Sequence, residues 1–519
     1  MPNLMAVDLG TTHLKVGIFD GHGVQRALAI APNVLASMSA DTGFYEPDRL
    51  WDSFAAMCRQ AIGALKAPAG LSAVCVTGMA EAGLPLDEAG RPLYPIMPWF
   101  DTRTKPQAER WQALIDPAHF FHLTGLAPHW MYSVHKIVWL REHEPDIYAS
   151  SRHWLNVPDY FGFLLTGETV TSYSLASRTG LFDLARLDWS HELTAAAQID
   201  PELLPRPLPS GRILGTVARW AAEATGIPQG IPVVIGGHDH LCGAFGAGVK
   251  KPGAIFDSSG TAETFLVPFN LDGFSGWDTA MRQGFTIGCH VLAGRHYLLG
   301  PMDCSGGCIE WLKRTIWQEL HGREGKTSDD FYARFMELAG ASPAGARGLV
   351  FLAHLRGGAS PQRDLKSRGA FIGFTPGHTC GDLFRAVLEG LSYEAKGVID
   401  AMAALIGYKI GEIVCVGGGT RNHLWQQIKA SVNGRAVLVP AVGEGTLLGA
   451  ALLAGIGAGI YKNEDEALAV VERSFTVYQP GSAEAEFYRK YCDQIYNRLY
   501  DTAHETNELL YNMPIDRCI

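Results

Sequence analysis

A short turn motif that occurs twice constrains the fold of this chain more than any other feature. Near the start, LMAVDLGTTHLKVGIFD predicts two strands joined by a tight turn at Gly10, with Asp8 just before the turn. Midway, GAIFDSSGTAETFLVP again places an aspartate, Asp257, a few residues before Gly-Thr and between apolar stretches. The repeat is detectable only at the turn. It predicts two related halves that face each other across a cleft.

The length of the chain supports two large domains. At 519 residues it exceeds the roughly 100–200 residues expected for one domain. Strand-like runs such as LSAVCVTGM alternate with helical patterns such as PDRLWDSFAAMCRQAIGALK, which predicts a layered α/β fold. We place the boundary near Cys242, with an N-terminal domain over 1–243 and a C-terminal domain over 244–519. No low-complexity linker separates them, so we expect a hinge between packed domains.

Composition and charge exclude several classes of protein. The net charge of −10 and the lack of a Lys/Arg block argue against binding of nucleic acid or a membrane surface. The most apolar late segment, GTLLGAALLAGIGAGI, is shorter than the roughly 20 residues that span a bilayer, and it predicts a packed helix. The N-terminus lacks a signal-peptide pattern, and the ten cysteines form no CxxC pair. We therefore expect a cytoplasmic protein with reduced thiols.

The first turn has the residues that a phosphate group requires. Glycine lets the backbone approach closely, and the hydroxyls of Thr11 and Thr12 can donate to phosphate oxygens. Asp8 can hold a hydrated Mg²⁺, and Lys15 can offset phosphate charge. The alternative for this turn alone is a polar hairpin without a ligand.

Three further glycine turns favour a nucleotide site. Gly260-Thr261 predicts a second phosphate hairpin, and Gly306-Gly307 precedes a helical pattern. The triple glycine 417–419 lies between a predicted strand and helix, where a base or ribose can rest against bare backbone. No P-loop motif is present, and no suitable acidic residue follows GAFGAG, so a dinucleotide site is not expected. Together the turns predict a nucleotide held between two domains.

The segment VVIGGHDH carries a candidate general base. His238, Asp239 and His240 follow an apolar strand and a Gly-Gly break. A structural zinc would need further ligands, and none lies at a recognisable spacing. The histidines can equally be ordinary hydrogen-bonded residues. Asp239 can project into a cleft from a rigid base and accept the proton of a hydroxyl group.

Two longer segments resemble the signatures of one family. MYSVHKIVWLREH, 131–143, and GAFIGFTPGHTCGDLFRAVLEGLSYE, 369–394, are similar to the two signatures of the FGGY carbohydrate kinases. VDLGTT, IGGHDH, SSGTAE and VGGGTRN also occur in that family's order. The resemblance implies two actin-like (ribonuclease-H-like) α/β domains with an interdomain cleft. It also implies transfer of the γ-phosphoryl group of ATP to a small sugar, polyol or sugar acid, and homodimers are frequent in the family.

The resemblance assigns roles to individual residues. Asp239 falls on the catalytic aspartate, and Asp8 would hold Mg²⁺. The implied nucleotide-binding residues are Thr11, Thr12, Lys15, Gly260, Thr261, Gly307, Gly418 and Asn422. The implied substrate-binding residues are Glu81, Trp99, Met131, Asp239 and His240.

The acceptor segments depart from well-known members of the family. Glu81 lies where glycerol kinases have a glutamate, but the arginine before it is Ala80 here, and Met131 replaces a tyrosine. The GERTP loop of xylulose kinases reads GGASP. We therefore expect ATP-dependent phosphorylation of a ketose or polyol of four to six carbons. A kinase for glycerol or gluconate is the alternative, and a non-catalytic actin-like ATPase or a sugar-sensing protein is the alternative of another class.

Overall fold

The computed structural model of the protein describes residues 2–37, 42–65, 70–317, 328–441 and 443–513. Its first half contains a six-stranded sheet in the order β5-β6-β4-β1-β2-β3. The strands are β1 (Asn3–Leu9), β2 (His13–Asp20), β3 (Gln25–Pro32), β4 (Leu71–Gly78), β5 (Ile213–Thr216) and β6 (Pro232–His238). Strands β1, β2 and β3 form an antiparallel meander, and β4 and β6 run parallel to β1.

The second half contains a seven-stranded sheet in the order β9-β10-β8-β7-β11-β12-β13. The strands are β7 (Ala254–Ser259), β8 (Glu263–Phe269), β9 (Thr286–Cys289), β10 (His296–Met302), β11 (Glu412–Val416), β12 (Ala436–Pro440) and β13 (Phe475–Tyr478). Strands β7, β8 and β10 form an antiparallel meander, and β11 and β12 run parallel to β7. The two sheets therefore share a five-stranded plan, which confirms the two related α/β halves predicted from the hairpin motif.

Helices cover both sheets. The larger ones are α1 (Pro47–Gly63), α2 (Lys105–Leu114), α3 (Pro117–Thr124), α4 (Ser133–His143), α5 (Val157–Thr166), α6 (Asp239–Gly246), α7 (Gly306–Leu312), α8 (Ser328–Ala341), α9 (Cys380–Ile406), α10 (His423–Asn433), α11 (Gly445–Gly457), α12 (Ser482–Gln494) and α13 (Leu499–Asn512). The apolar residues of α1 recur at helical spacing, and Leu50, Phe54 and Cys58 are buried against the first sheet. The amphipathic helix predicted in this segment is confirmed.

Helices α6 and α11 pack together beside the first sheet. Each follows the last parallel strand of its own sheet, β6 or β12, so the pair occupies related places in the two halves. A Cβ atom added to Gly449 would lie 1.9 Å from the Cys242 carbonyl oxygen, and one on Gly246 would lie 2.0 Å from that of Gly445. Only glycine permits this approach. Leu447 and the residues around it are buried, as expected for a packed helix.

The last part of the described chain packs on the second domain. The sequence predicts one long helical pattern here, but the structure has α12 and α13 separated by a short 3-10 turn, Tyr496–Arg498. Tyr488, Cys492 and Leu499 join the core of the second half. In the part of the chain that the structure describes, no helix is long and apolar enough to cross a membrane.

Candidate active site

The first hairpin joins β1 to β2. Asp8 and Lys15 are directly opposite each other on the two strands, so their side chains share one face of the sheet. The Tyr45 hydroxyl donates to the Thr11 carbonyl oxygen at 2.9 Å, and Trp99 Nε1 donates to Thr11 Oγ1 at 3.1 Å. These contacts hold the tip of the hairpin from the side.

The second hairpin, between β7 and β8, is bonded to the start of α7. The N–H groups of Gly306 and Gly307 donate to the carbonyl oxygens of Gly260 and Thr261, both at 3.0 Å. A Cβ atom on Gly306 would lie 2.6 Å from the Gly260 carbonyl oxygen, so the approach requires glycine. Three residues that the sequence analysis assigned to the nucleotide are thus brought together here: Gly260, Thr261 and Gly307.

The two hairpin motifs are one residue out of phase. Asp8 lies two positions before Gly10, whereas Asp257 lies three positions before Gly260. Because neighbouring residues of a strand point to opposite faces, the two aspartates point to opposite faces of their hairpins. Ser258 occupies the place that Asp8 has in the first hairpin, and both line the same cavity. Asp257 is completely buried.

A cavity of about 530 Å³ lies between the two halves. The residues expected from the sequence that line it are Asp8, Lys15, Asp239, His240 and Gly418. The other lining residues include Ser258, Thr420, Arg421, Glu444 and Thr446, which the sequence analysis did not single out. Both halves therefore contribute to one site, as the sequence predicts.

Three carboxylates, those of Asp8, Asp239 and Glu444, line this cavity. Lys15 Nζ pairs with Glu444 at 2.7 Å. Burial, with Asp239 and Glu444 nearby, raises the pKa of Asp8 to about 8, although Lys15 lowers it. Among the described residues, Asp8 Oδ1 is buried without a hydrogen-bond partner. Carboxylate oxygens are the ligands that Mg²⁺ takes in phosphate sites, so this donor set fits the ion that the sequence analysis expects.

Asp239 is the first residue of α6, directly after the buried strand β6. Burial raises the pKa of its carboxyl group to about 7, and Glu81 adds to the rise, while the His240 N–H donates to Oδ1 at 2.6 Å and lowers it. His238 Nε2 lies 3.2 Å from the same oxygen. Burial lowers the pKa of both histidines, which keeps them neutral.

The same three residues are also the described group that comes closest to a metal site. Their ligand atoms lie within 4.8 Å of one another. A structural zinc takes four ligands in a closed tetrahedron, and this group supplies three. His238 is buried behind Asp239, with its backbone N–H bonded to Ser174 Oγ at 3.1 Å.

A buried ion pair that the sequence did not predict lies close enough to Asp239 to influence its pKa. Glu81 is buried with a left-handed backbone, φ 57°, and it pairs with Arg178. The Arg178 guanidinium lies 5.7 Å from the centre of the Tyr132 ring. Its Nη1 atom, like the Tyr297 hydroxyl, is buried without a partner within the described ranges. Arg178 and Glu81 are 97 residues apart in the sequence.

Trp99 and Met131 lie at different depths. Trp99 is 37% exposed and remains bonded to the first hairpin. Met131 is half-buried, and its carbonyl oxygen accepts a hydrogen bond from the buried Lys136 ammonium.

The three glycines 417–419 differ in how much space surrounds them. A Cβ atom on Gly417 would lie 2.5 Å from the Ser259 carbonyl oxygen, and one on Gly419 would lie 2.3 Å from Ser259 Oγ, whereas Gly418 has nothing within 4 Å. Gly417 and Gly418 both line the cavity, and of the three glycines only Gly418 has room for a side chain. Asn422 caps α10, with its Oδ1 accepting from the Trp425 N–H at 3.0 Å.

Comparison with known families agrees with this arrangement. Residues 3–246 match the N-terminal domain, and residues 278–458 the C-terminal domain, of the FGGY family of carbohydrate kinases. The chain belongs to that family.

Individual relatives cover nearly the whole chain. L-fuculokinase from Escherichia coli (strain K12) is 28% identical over 93% of this chain and 98% of its own length. Xylulose kinase from Bacillus subtilis (strain 168) is 24% identical over 98% of this chain and 99% of its own. The crystal structure of xylulose kinase from Rhodospirillum rubrum covers 98% of this chain and 100% of its own, with a TM-score of 0.88 and 29% identity.

These matches place the protein among the carbohydrate kinases of the xylulose, fuculose, glycerol and gluconate kinase type, which use ATP. The matched kinase structures have the two-domain actin-like fold, and the two related sheets of this chain agree with it.

Proposed function

We propose that this kinase transfers the γ-phosphoryl group of ATP to a hydroxyl of a small ketose or polyol, with Asp239 as the general base. The observation that supports this most is the shared cavity, which is lined by Asp8, Lys15, Asp239 and His240 from one half and by Gly418 from the other. Phosphoryl transfer depends mainly on positioning and on charge stabilisation, and both halves provide groups for it.

Asp239 has the placement and the pKa of a base. Its position at the start of α6 fixes the backbone beneath the carboxylate. A base is most effective when its pKa lies near the working pH, and burial raises the pKa of Asp239 to about 7. In the proposal it orients the acceptor hydroxyl and takes its proton as the new bond forms.

The nucleotide would lie against the glycine turns. Thr11 and Thr12 on one side, and Gly260 and Thr261 on the other, would donate to the phosphates, with Gly307, Gly418 and Asn422 on the adenosine side. Asp8 would hold Mg²⁺, which when bound neutralises charge on the phosphates. Lys15 would offset phosphate charge. Its ammonium pairs with Glu444 in the structure, so ATP oxygens would compete with Glu444 for it.

The acceptor would bind between Glu81, Trp99, Met131 and His240. The Glu81–Arg178 ion pair contains both hydrogen-bond acceptors and donors, which would suit a neutral molecule with several hydroxyls. Two of the relatives are named for ketoses, fuculose and xylulose. These observations favour a ketose over glycerol or gluconate.

Asparagine at position 239 tests the base. Asp239→Asn keeps the shape of the side chain and loses its basicity, so we expect kcat to fall by about 10²–10⁴-fold while ATP affinity changes little. ADP release and nucleotide titration measure the two quantities. Asp20→Asn is a matched control, because Asp20 is a buried carboxylate at the far end of β2. Near-normal turnover by the Asp239 variant would contradict the proposal.

A panel of acceptors tests the substrate class. Ketoses and polyols of four to six carbons are compared with glycerol and gluconate in an ADP-release assay, and phosphorylated products are identified. We expect the highest kcat/KM for a ketose or polyol. A preference for gluconate or glycerol would overturn this assignment, and ATP hydrolysis without a phosphorylated product would indicate an actin-like ATPase or a sugar sensor.

Three further parts of the proposal concern organisation. The domain boundary lies near 243, which is supported by the position of α6 in the sequence, after the last strand of the first sheet and before the first strand of the second. The protein works in the cytoplasm, where ATP is available and the free cysteines of the described chain stay reduced. It assembles as a homodimer, as family members frequently do, and analytical ultracentrifugation measures this.

A further inference from the structure

A fully buried group of charged residues lies beneath the second hairpin. Lys429, Asp257 and Glu263 have no exposed side-chain surface. Lys429 Nζ lies 2.6 Å from Asp257 Oδ2, it also pairs with Glu263, and it stands 4.8 Å from the centre of the Trp425 ring. Ser305 Oγ donates to Glu263. Burying such charges is costly, and apolar residues often stabilise a core as well or better, so stability alone does not explain the group.

The positions of these residues along the chain suggest what they hold. Asp257 lies in β7 and Glu263 begins β8, so the two carboxylates bracket the exposed hairpin tip, residues 260–262. Ser305 immediately precedes α7, whose first N–H groups bond to that tip. Lys429 lies on α10 and therefore joins three separate segments of the chain.

A second set of contacts joins the same segments. Ser259, on the buried face of the hairpin, packs so closely against Gly417 and Gly419 that neither position has room for a side chain. These glycines form the turn that leads into α10, the helix of Lys429. The hairpin, the start of α7 and the glycine turn are thus fixed to one another around the Lys429 ammonium.

We propose that Lys429 is a positioning residue for the nucleotide. It holds the Gly260-Thr261 hairpin and the start of α7 at a fixed distance from the glycine turn, so that phosphate and adenosine contacts are made together. This inference rests on the proposed function, because it assumes that the Gly260-Thr261 hairpin binds ATP phosphates. Misplacement by about 1 Å is enough to weaken such a site strongly.

Methionine at position 429 tests the proposal. Lys429→Met keeps the length of the side chain and removes the ammonium. We expect the Kd for MgATP, measured by isothermal titration, to rise by about tenfold or more. We also expect KM for the acceptor to change by less than about twofold, and kcat at saturating ATP by less than about threefold. The reason is that an interaction of equal strength in the ground state and the transition state contributes to affinity alone.

Arg385→Met is the matched control. Arg385 and Glu389 on α9 form another buried ion pair in the same half, with Nε to Oε1 at 2.8 Å and Tyr488 bonded to both. This pair does not contact the hairpin. Its loss should lower the melting temperature and leave the Kd for MgATP unchanged. If Lys429→Met behaves in the same way, Lys429 is a structural residue and the proposal is overturned.

Lys429→Met leaves the carboxylates of Asp257 and Glu263 unpaired. If this variant does not fold, a second variant provides the test. Lys429→Met combined with Asp257→Asn and Glu263→Gln removes all three charges at nearly constant volume. Weakened MgATP binding by this folded variant supports the proposal, and wild-type affinity overturns it. Nucleotide titration needs no acceptor, so a failure to phosphorylate any sugar of the panel would contradict the proposed acceptor while the Lys429 result still stands.

Discussion

The two hairpins have the same backbone plan but carry their charges on opposite faces. In the first, Val7 and Leu14 form an apolar buried face, and Asp8 and Lys15 stand on the open face. In the second, the buried face carries Asp257, Glu263 and their partner Lys429, while Ser258 stands on the open face.

A difference of one residue in spacing produces this contrast. Strand side chains alternate, so moving an aspartate by one position before the glycine transfers its charge from the cleft to the interior. The comparison indicates a division of labour. In the proposed function, the first hairpin would bring charge to the reacting phosphate, and the second would offer backbone groups at a position that the buried Lys429 cluster fixes.

The largest expected effect comes from removing the open-face charge of the first hairpin. Asp8→Asn takes away the carboxylate that the proposal assigns to Mg²⁺, and kcat should fall by about 10²–10³-fold, as for other groups that stabilise transition-state charge. Steady-state assays at saturating ATP and Mg²⁺ measure it. Asp20→Asn, remote on β2, should retain wild-type turnover. A fall of less than about threefold for Asp8→Asn would remove the contrast between the hairpins.

An intermediate effect is expected where the second hairpin meets the glycine turn. Gly417 has a φ of 92°, and its Cβ would lie 2.5 Å from the Ser259 carbonyl oxygen, so Gly417→Ala should cost about 1–3 kcal/mol of unfolding free energy. Gly418→Ala has open space around it and should cost less than about 0.5 kcal/mol. Urea denaturation of both variants checks the difference. Equal losses would mean that the packing against Ser259 does not fix the turn.

The smallest effect is expected from the aspartate of the second hairpin. Burial and the neighbouring Glu263 raise the pKa of Asp257, and the Lys429 ammonium lowers it. Asp257→Asn keeps the shape of the side chain and leaves Glu263 to pair with Lys429, so turnover and MgATP affinity should stay within about threefold of the wild type. A loss as large as that of Asp8→Asn would show that the two aspartates have equivalent roles.

The sequence predicts the parts of this molecule that depend on local pattern. Glycine turns, strand periodicity and the apolar helix at 445–457 follow from neighbouring residues, and the structure has all of them. The phase of the second hairpin could also be read locally, by counting residues back from Gly260. The motif alone does not reveal this difference in phase, because an aspartate precedes Gly-Thr in both copies.

Partners that are distant along the chain were not predictable from one sequence. Glu81 and Arg178 are 97 residues apart, and Lys15 and Glu444 are 429 apart. Nothing local marks Lys429 as the partner of Asp257, since its spacing on α10 is that of an ordinary helical lysine. Asn422 is a further case, because the N-cap of α10 uses one side of its amide and only the structure shows that.

The most direct test of the division of labour is single-turnover phosphoryl transfer at increasing ATP concentration. It compares the wild type with Asp8→Asn and Lys429→Met in the presence of the preferred acceptor. We expect Lys429→Met to regain nearly the wild-type rate once ATP saturates, whereas Asp8→Asn should stay about 10²-fold or more below it. Recovery of both variants at high ATP, or of neither, would contradict this expectation.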